Sequence, residues 1–109
     1  MCGICGVFNR EAQGGRTQER VIEAMLRAIR HRGPDGSGTL ILDQAALGFN
    51  RLSFIDLEGG MQPIQNEDQT ISMICNGEIY NYRSLREELS AKGHIFRTKT
   101  DVEVILHLY

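Results

Sequence analysis

Directly behind the initiator methionine the chain reads Cys2-Gly3-Ile4-Cys5-Gly6. A thiol at a chain terminus buries little, and a glycine beside it leaves room for a second molecule to come close. Three readings compete: half of a metal or redox pair with Cys5, an incidental terminal residue, or a nucleophile that uses the chain's own amine. A structural zinc site normally takes four ligands, often from two cysteine pairs. Beyond Cys2 and Cys5 the chain has Cys75 and the scattered His31, His94 and His107, none at partner spacing. A redox C-x-x-C ordinarily follows a strand and opens a helix, whereas this one lies at the terminus. The nucleophile reading needs removal of Met1, which would free the α-amine of Cys2. An α-amine titrates near about 8 and a thiol near about 8.5, a match suited to proton transfer. One residue would then act as nucleophile and base together. Cys5 reads as a small buried residue of the first strand, and no metal site is expected.

Other residue types invite chemistry and also have plainer readings. Asn76-Gly77 could aim a side-chain NH2 and a backbone N–H at a developing oxyanion, but "NG" between apolar runs is equally a hairpin signal. Arg51 could grip a carboxylate with its guanidinium fork or simply be solvated at a strand start. Asp101 could face an ammonium group or complement a first helical turn, and both can hold at once. His31, in a basic last turn, reads as a helix-dipole partner.

These groups need elements to position them. Ile4 to Phe8 form a short apolar strand. Thr17 is the expected N-cap of a helix carrying Val21, Ile22, Met25, Leu26 and Ile29 on one face; Arg30, His31 and Arg32 load its last turn and Gly33-Pro34 stops it. Strands are expected over Thr39 to Leu42, Ala46 to Phe49, Leu52 to Ile55 and Thr70 to Cys75. A second helix runs from about Tyr82 to Lys92, with Gly93 as its C-terminal stop, and His94 to Thr98 reads as one more strand. Thr100 and Glu103 fit a capping box for an apolar stripe that ends at Tyr109 after about two turns, which gives the chain the look of a truncated one.

Composition limits the classes open to it. The 109 residues make one domain at most, 41% hydrophobic and 24% charged with a net charge of -2, which argues against disorder. No basic excess points to nucleic acid, and no apolar run or signal peptide points to a membrane. The expected compartment is the cytoplasm, with all three thiols reduced.

The blocks MCGICGVF, RHRGPDGSG, NRLSFIDLEGGMQPI, NGEIYNYRSLREEL and TKTDVEVILHLY occur in that order. Together they resemble the class II, N-terminal-nucleophile glutamine amidotransferase domain of the glutamine-hydrolysing asparagine synthetases, from Met1 to Tyr109. The resemblance implies an α/β (α+β) fold of the Ntn-hydrolase type, a four-layer α/β/β/α sandwich that this chain would hold incompletely. Residues 1–109 would be the N-terminal part of that domain, and a fragment ending there is expected to be inactive alone.

By the same resemblance Cys2 attacks the side-chain amide of glutamine, and Asn76 and Gly77 hold the oxyanion. Arg51 holds the substrate α-carboxylate, Glu78 and Asp101 lie near its α-ammonium, and Leu52, Ser53, Phe54 and Ile55 wall the pocket. The "RHRGPDGSG" loop lies near the nucleophile in the family, but His31, Arg32 and Asp35 are left out of the catalytic set. Phe54 stands where a smaller aliphatic is common, and TKTDVEV replaces a serine-aspartate-threonine run; neither change removes a charge or donor. No cofactor is implied for this chain. ATP and Mg are implied for an absent downstream synthetase domain, the partner in an intact protein, and a homodimer stays open. Two alternatives also stay open: a same-branch amidotransferase with another acceptor, and a non-catalytic truncated fragment.

If the α-amine of Cys2 is the base, active protein begins at Cys2. Intact-mass measurement of active full-length protein is expected to show Met1 removed; activity with Met1 fully retained would exclude the N-terminal-nucleophile mechanism.

Overall fold

The computed structural model describes residues 1–11, 15–53 and 60–109. Strand β1 (Gly3–Phe8), helix α1 (Gly15–Ala28), strand β2 (Gly36–Ile41) and strand β3 (Ala45–Arg51) build a three-stranded antiparallel sheet, ordered β1-β3-β2, with α1 packed on it. Strands β4 (Ile64–Gln65) and β5 (Ser72–Met73) form a separate antiparallel pair. Helices α2 (Tyr82–Ala91) and α3 (Glu103–Leu108) follow. The fold is α+β.

Helix α1 forms where the apolar periodicity places it. Ile22 and Leu26 are buried, and Gln18 donates to the Asp43 carbonyl at 3.0 Å. The helix begins at Gly15, so Thr17 lies inside the first turn rather than at the cap. Arg30–Arg32 make a separate 3-10 turn. The buried Asn50 of β3 joins helix to sheet: its Nδ2 donates to the Leu26 carbonyl at 2.8 Å and its Oδ1 accepts from the Ser37 hydroxyl at 2.7 Å. One amide therefore serves the last turn of α1 and strand β2 together.

A second core lies under α3. Ile64, Val102 and Leu106 are buried together, with Ile71, Met73, Cys75, Ile79 and Ile105 packed around them. Helix α2 ends as expected, with Gly93 at a φ of +97°, a conformation that glycine adopts without a Cβ penalty.

Several expected elements differ. The strand expected over Thr70 to Cys75 shrinks to Ser72–Met73, and its short partner β4 was not anticipated. Leu52 and Ser53 lie in no strand, and Phe54 and Ile55 fall outside the described residues. His94 to Thr98 form no strand, because carboxylates take the amides that a neighbouring strand would pair. Ile95 N–H donates to Glu67 at 2.9 Å, and Arg97 and Thr98 N–H both donate to Glu103 at 2.7 Å. The capping box is not made either. Val102 occupies the cap position of α3 without a side-chain cap bond, and the Glu103 carboxylate reaches back beyond Thr100 to Arg97 and Thr98. Burial pushes that carboxyl up, but the bonds from the Thr98 hydroxyl and the two amides outweigh it and hold it below the usual range.

Asn50→Ala should strand a buried carbonyl and destabilise the chain by about 2–4 kcal/mol. Ser37→Ala, which removes only the partly exposed arm of the same link, should cost clearly less. Denaturant unfolding of the two variants would read the difference.

Candidate active site

The register of the first sheet places the candidate nucleophile, Cys2. Gly3 pairs with Asn50, so Cys2, just before β1, arrives beside Leu52, just after β3. The Leu52 N–H points at Cys2 Sγ at 3.4 Å, and the thiol faces the Leu52 carbonyl at 3.8 Å. Arg32 Nε donates to the Cys2 carbonyl at 3.4 Å. With Met1 attached, the Cys2 nitrogen is a peptide amide and cannot accept a proton. Cys5 lies on β1 facing α1, only half-buried rather than fully so, and burial pushes its thiol pKa up.

The "RHRGPDG" segment holds backbone rather than substrate. A Cβ on Gly33 would lie 2.3 Å from the Asn50 carbonyl oxygen, so only glycine lets this loop pass against β3. Asp35 N–H donates to the Arg51 carbonyl at 3.0 Å, and its carboxylate accepts the Ser53 N–H at 2.7 Å. Asp35 thus brackets Arg51 to Ser53, and Arg32 steadies Cys2. The sequence signal for both was the block itself, whose polar residues had no evident task.

Asn76 and Gly77 are exposed on a bend between β5 and α2, so the hairpin reading does not hold. Their position is set by Gln62, whose buried side chain pairs both polar groups of the Cys75 backbone. Gln62 Nε2 donates to the Cys75 carbonyl at 3.0 Å, and Cys75 N–H donates to Gln62 Oε1 at 2.6 Å. The Gln62 carbonyl also lies against β2, only 2.0 Å from where a Cβ on Gly38 would sit. Sequence reasoning had left Gln62 without a role.

Cys2, Leu52, Asn76 and Gly77 line one cavity of about 450 Å³ together with Glu78 and Tyr80. Glu78 and Tyr80 also line an adjoining cavity of about 470 Å³ with Arg51, Gly60, Thr100 and Asp101. The candidate nucleophile and the two oxyanion candidates therefore line one of two adjoining cavities that share Glu78 and Tyr80, together called the groove. Two cations, Arg51 and Lys99, and two carboxylates, Glu78 and Asp101, line the other. Asp101 is fixed there by accepting the Ile79 N–H at 2.6 Å. Burial and the nearby Asp101 charge both push the Cys75 thiol up. Ser53, held by Asp35, lines neither cavity, and Phe54 and Ile55 lie outside the described residues. Tyr80 and Thr100 were missed from sequence, since neither residue type at those positions signals a ligand.

Cys2 thus shares a cavity wall with Asn76 and Gly77, beside a second cavity lined by charges of both signs. The family described as "Glutamine amidotransferase domain" matches residues 1–109, and the chain belongs to it. Over its whole length the chain is 50% identical to asparagine synthetase [glutamine-hydrolyzing] 1 of Bacillus subtilis (strain 168), of which it covers 17%. It is 47% identical to asparagine synthetase [glutamine-hydrolyzing] 3 of Arabidopsis thaliana, covering 18%, again over the whole chain. To asparagine synthetase B [glutamine-hydrolyzing] of Escherichia coli (strain K12) it is 42% identical over its whole length, covering 19%. The chain thus spans less than a fifth of each of these relatives. Among the described residues no helix is long and apolar enough to cross a membrane.

Gln62→Ala should leave the Cys75 N–H and carbonyl without partners and destabilise the chain by about 2–4 kcal/mol. Amide hydrogen exchange at Cys75 and Asn76 should quicken more than at β3. Unchanged exchange there would remove Gln62 as the residue that positions this strand.

Proposed function

We propose that the chain is the glutaminase part of a glutamine-dependent asparagine synthetase. The observation that carries this reading is the groove, with Cys2, Asn76 and Gly77 at one end and Arg51 and Asp101 at the other. After removal of Met1, the α-amine of Cys2 takes the thiol proton as sulfur bonds to the side-chain amide carbon of glutamine. The carbonyl oxygen becomes an oxyanion, for which the Asn76 NH2 and the Gly77 N–H are the donors. Its collapse breaks the C–N bond, and the ammonium form of the amine returns a proton to the departing ammonia. Water then cleaves the thioester to give glutamate and restore the thiol.

Arg51 pairs with the α-carboxylate, while Asp101 and Glu78 face the α-ammonium. Leu52 and Ser53 form a wall, with Phe54 and Ile55 continuing it. The released ammonia would amidate aspartate in a downstream synthetase domain that binds ATP and Mg. The names of the relatives support that acceptor, and the free thiols of Cys2, Cys5 and Cys75 suit a cytoplasmic setting. The four-layer sandwich is the architecture we assign to the complete domain. In keeping with it, the face of the first sheet turned away from α1 carries Ile4 and Phe8 at 46% and 69% exposure, a surface suited to a second sheet.

Calorimetric titration of glutamine onto the full-length protein in a Cys2→Ala background separates recognition from turnover. Arg51→Ala should weaken binding markedly, because the substrate carboxylate loses its charged partner. Asp101→Asn keeps an oxygen for the Ile79 N–H while removing the charge, so it should weaken binding without loosening the loop. With Cys2 restored, Asn76→Ala should lower kcat more than it raises KM. Glutamine bound as tightly by Arg51→Ala as by its parent would displace the carboxylate site from Arg51.

A further inference from the structure

Away from this groove, Glu67, His94 and His107 bring a carboxylate and two imidazoles to one point, their ligand atoms all within 4.8 Å of one another. The three come from separate places: the β4–β5 connection, the segment after α2, and α3. His94 Nδ1 and His107 Nδ1 each lie 3.1 Å from the same oxygen, Glu67 Oε1. Ligand atoms about 2.0–2.1 Å from a tetrahedral zinc are about 3.3 Å apart, close to this spacing.

His107 carries the argument further. Its side chain is 1% exposed, and Nδ1 is buried without a hydrogen-bond partner, its approach to Glu67 being misaligned for one. On the other side of the ring, Nε2 faces the fully buried Glu103 carboxylate at 3.3 Å. With the ring proton on Nε2, toward that carboxylate, the Nδ1 lone pair opens beside the Glu67 oxygen rather than along the line to it. Two electron-rich atoms so placed repel each other, and a cation between them turns the repulsion into two bonds. The carboxylate–histidine pair behind a ligand nitrogen is the usual support of a protein zinc site. Glu67 Oε1 is held at this point by accepting the Ile95 N–H at 2.9 Å. His94 and Glu67 side chains are 36% and 30% exposed, which opens a path from solvent and leaves a fourth position for water.

We propose that Glu67 Oε1, His94 Nδ1 and His107 Nδ1 form a site for a zinc-class divalent cation. Two imidazoles and one carboxylate suit that ion. Bound there, it ties the 94–98 segment and α3 to the β4–β5 connection.

The test uses the full chain, stripped with a chelator and titrated near neutral pH with Zn²⁺ by calorimetry and with Co²⁺ by visible absorption. One equivalent of each should bind, with tetrahedral Co²⁺ bands and no thiolate charge-transfer band, which excludes Cys2, Cys5 and Cys75 as ligands. Changes behind a metal ligand cost about 10–100-fold in affinity, so loss of a ligand in His94→Ala should cost at least about 100-fold. Glu67→Gln, which keeps an oxygen for the Ile95 N–H, should do the same, both variants keeping the parent circular dichroism. Histidine ring nitrogen resonances of the unaltered chain give a reading that needs no variant: those of His94 and His107 should move on Zn²⁺ addition while His31 stays. Absence of saturable binding, thiolate bands, full affinity in either variant, or ring shifts that spare His94 and His107 would each overturn the site.

Discussion

The side-chain amide of Gln62 is the link on which the active-site geometry rests. The thiol belongs to the first sheet, through the register of β1 on β3, whereas Asn76 and Gly77 belong to the strand end beyond β5. The amide pairs with the Cys75 backbone as a neighbouring strand would, donating to its carbonyl and accepting from its N–H. Its own main chain lies against β2. It thereby carries the position of the three-stranded sheet to the β4–β5 pair.

Carboxylates do similar service elsewhere. Asp35 holds Ser53, Asp101 holds Ile79, Glu67 holds Ile95, and Glu103 holds Arg97 and Thr98, each by accepting a main-chain N–H. An ionised acceptor makes a stronger bond than a neutral one, and it fixes irregular backbone where no ladder is available. In this chain the loops around the groove are held largely by such bonds. That is how segments with little regular structure can still present Glu78 and Asp101 at defined places.

The same feature explains what could and could not be read from sequence. Helices α1 and α2 were legible because their apolar spacing is long and periodic, and Gly93 was legible because a positive φ selects glycine. The pair β4–β5 was not, since two residues per strand carry no period. His94 to Thr98 alternates like a strand, yet the Ile95 amide is taken by Glu67, far away in sequence, and those of Arg97 and Thr98 by Glu103, just beyond the segment, and no alternation pattern registers such side-chain acceptors. Cys2, Asn76 and Gly77, which line one cavity, were singled out by the chemistry their types allow and by the family blocks. Arg32, Asp35 and Gln62 were passed over because they act on backbone, and nothing in a side chain's type announces which distant peptide it will hold. The convergence of His94 and His107 was hidden for the same reason: their spacing in the chain bears no relation to their spacing in the fold.

The Gln62–Cys75 pairing also divides the information carried by the two positions unequally. The amide reads only main-chain atoms of residue 75, which every amino acid except proline can supply. Position 75 is therefore free to drift among side chains that fit the second core, while position 62 must keep a group that both donates and accepts at the same reach. Of two residues in direct contact, one is a word in the message and the other only the paper it is written on.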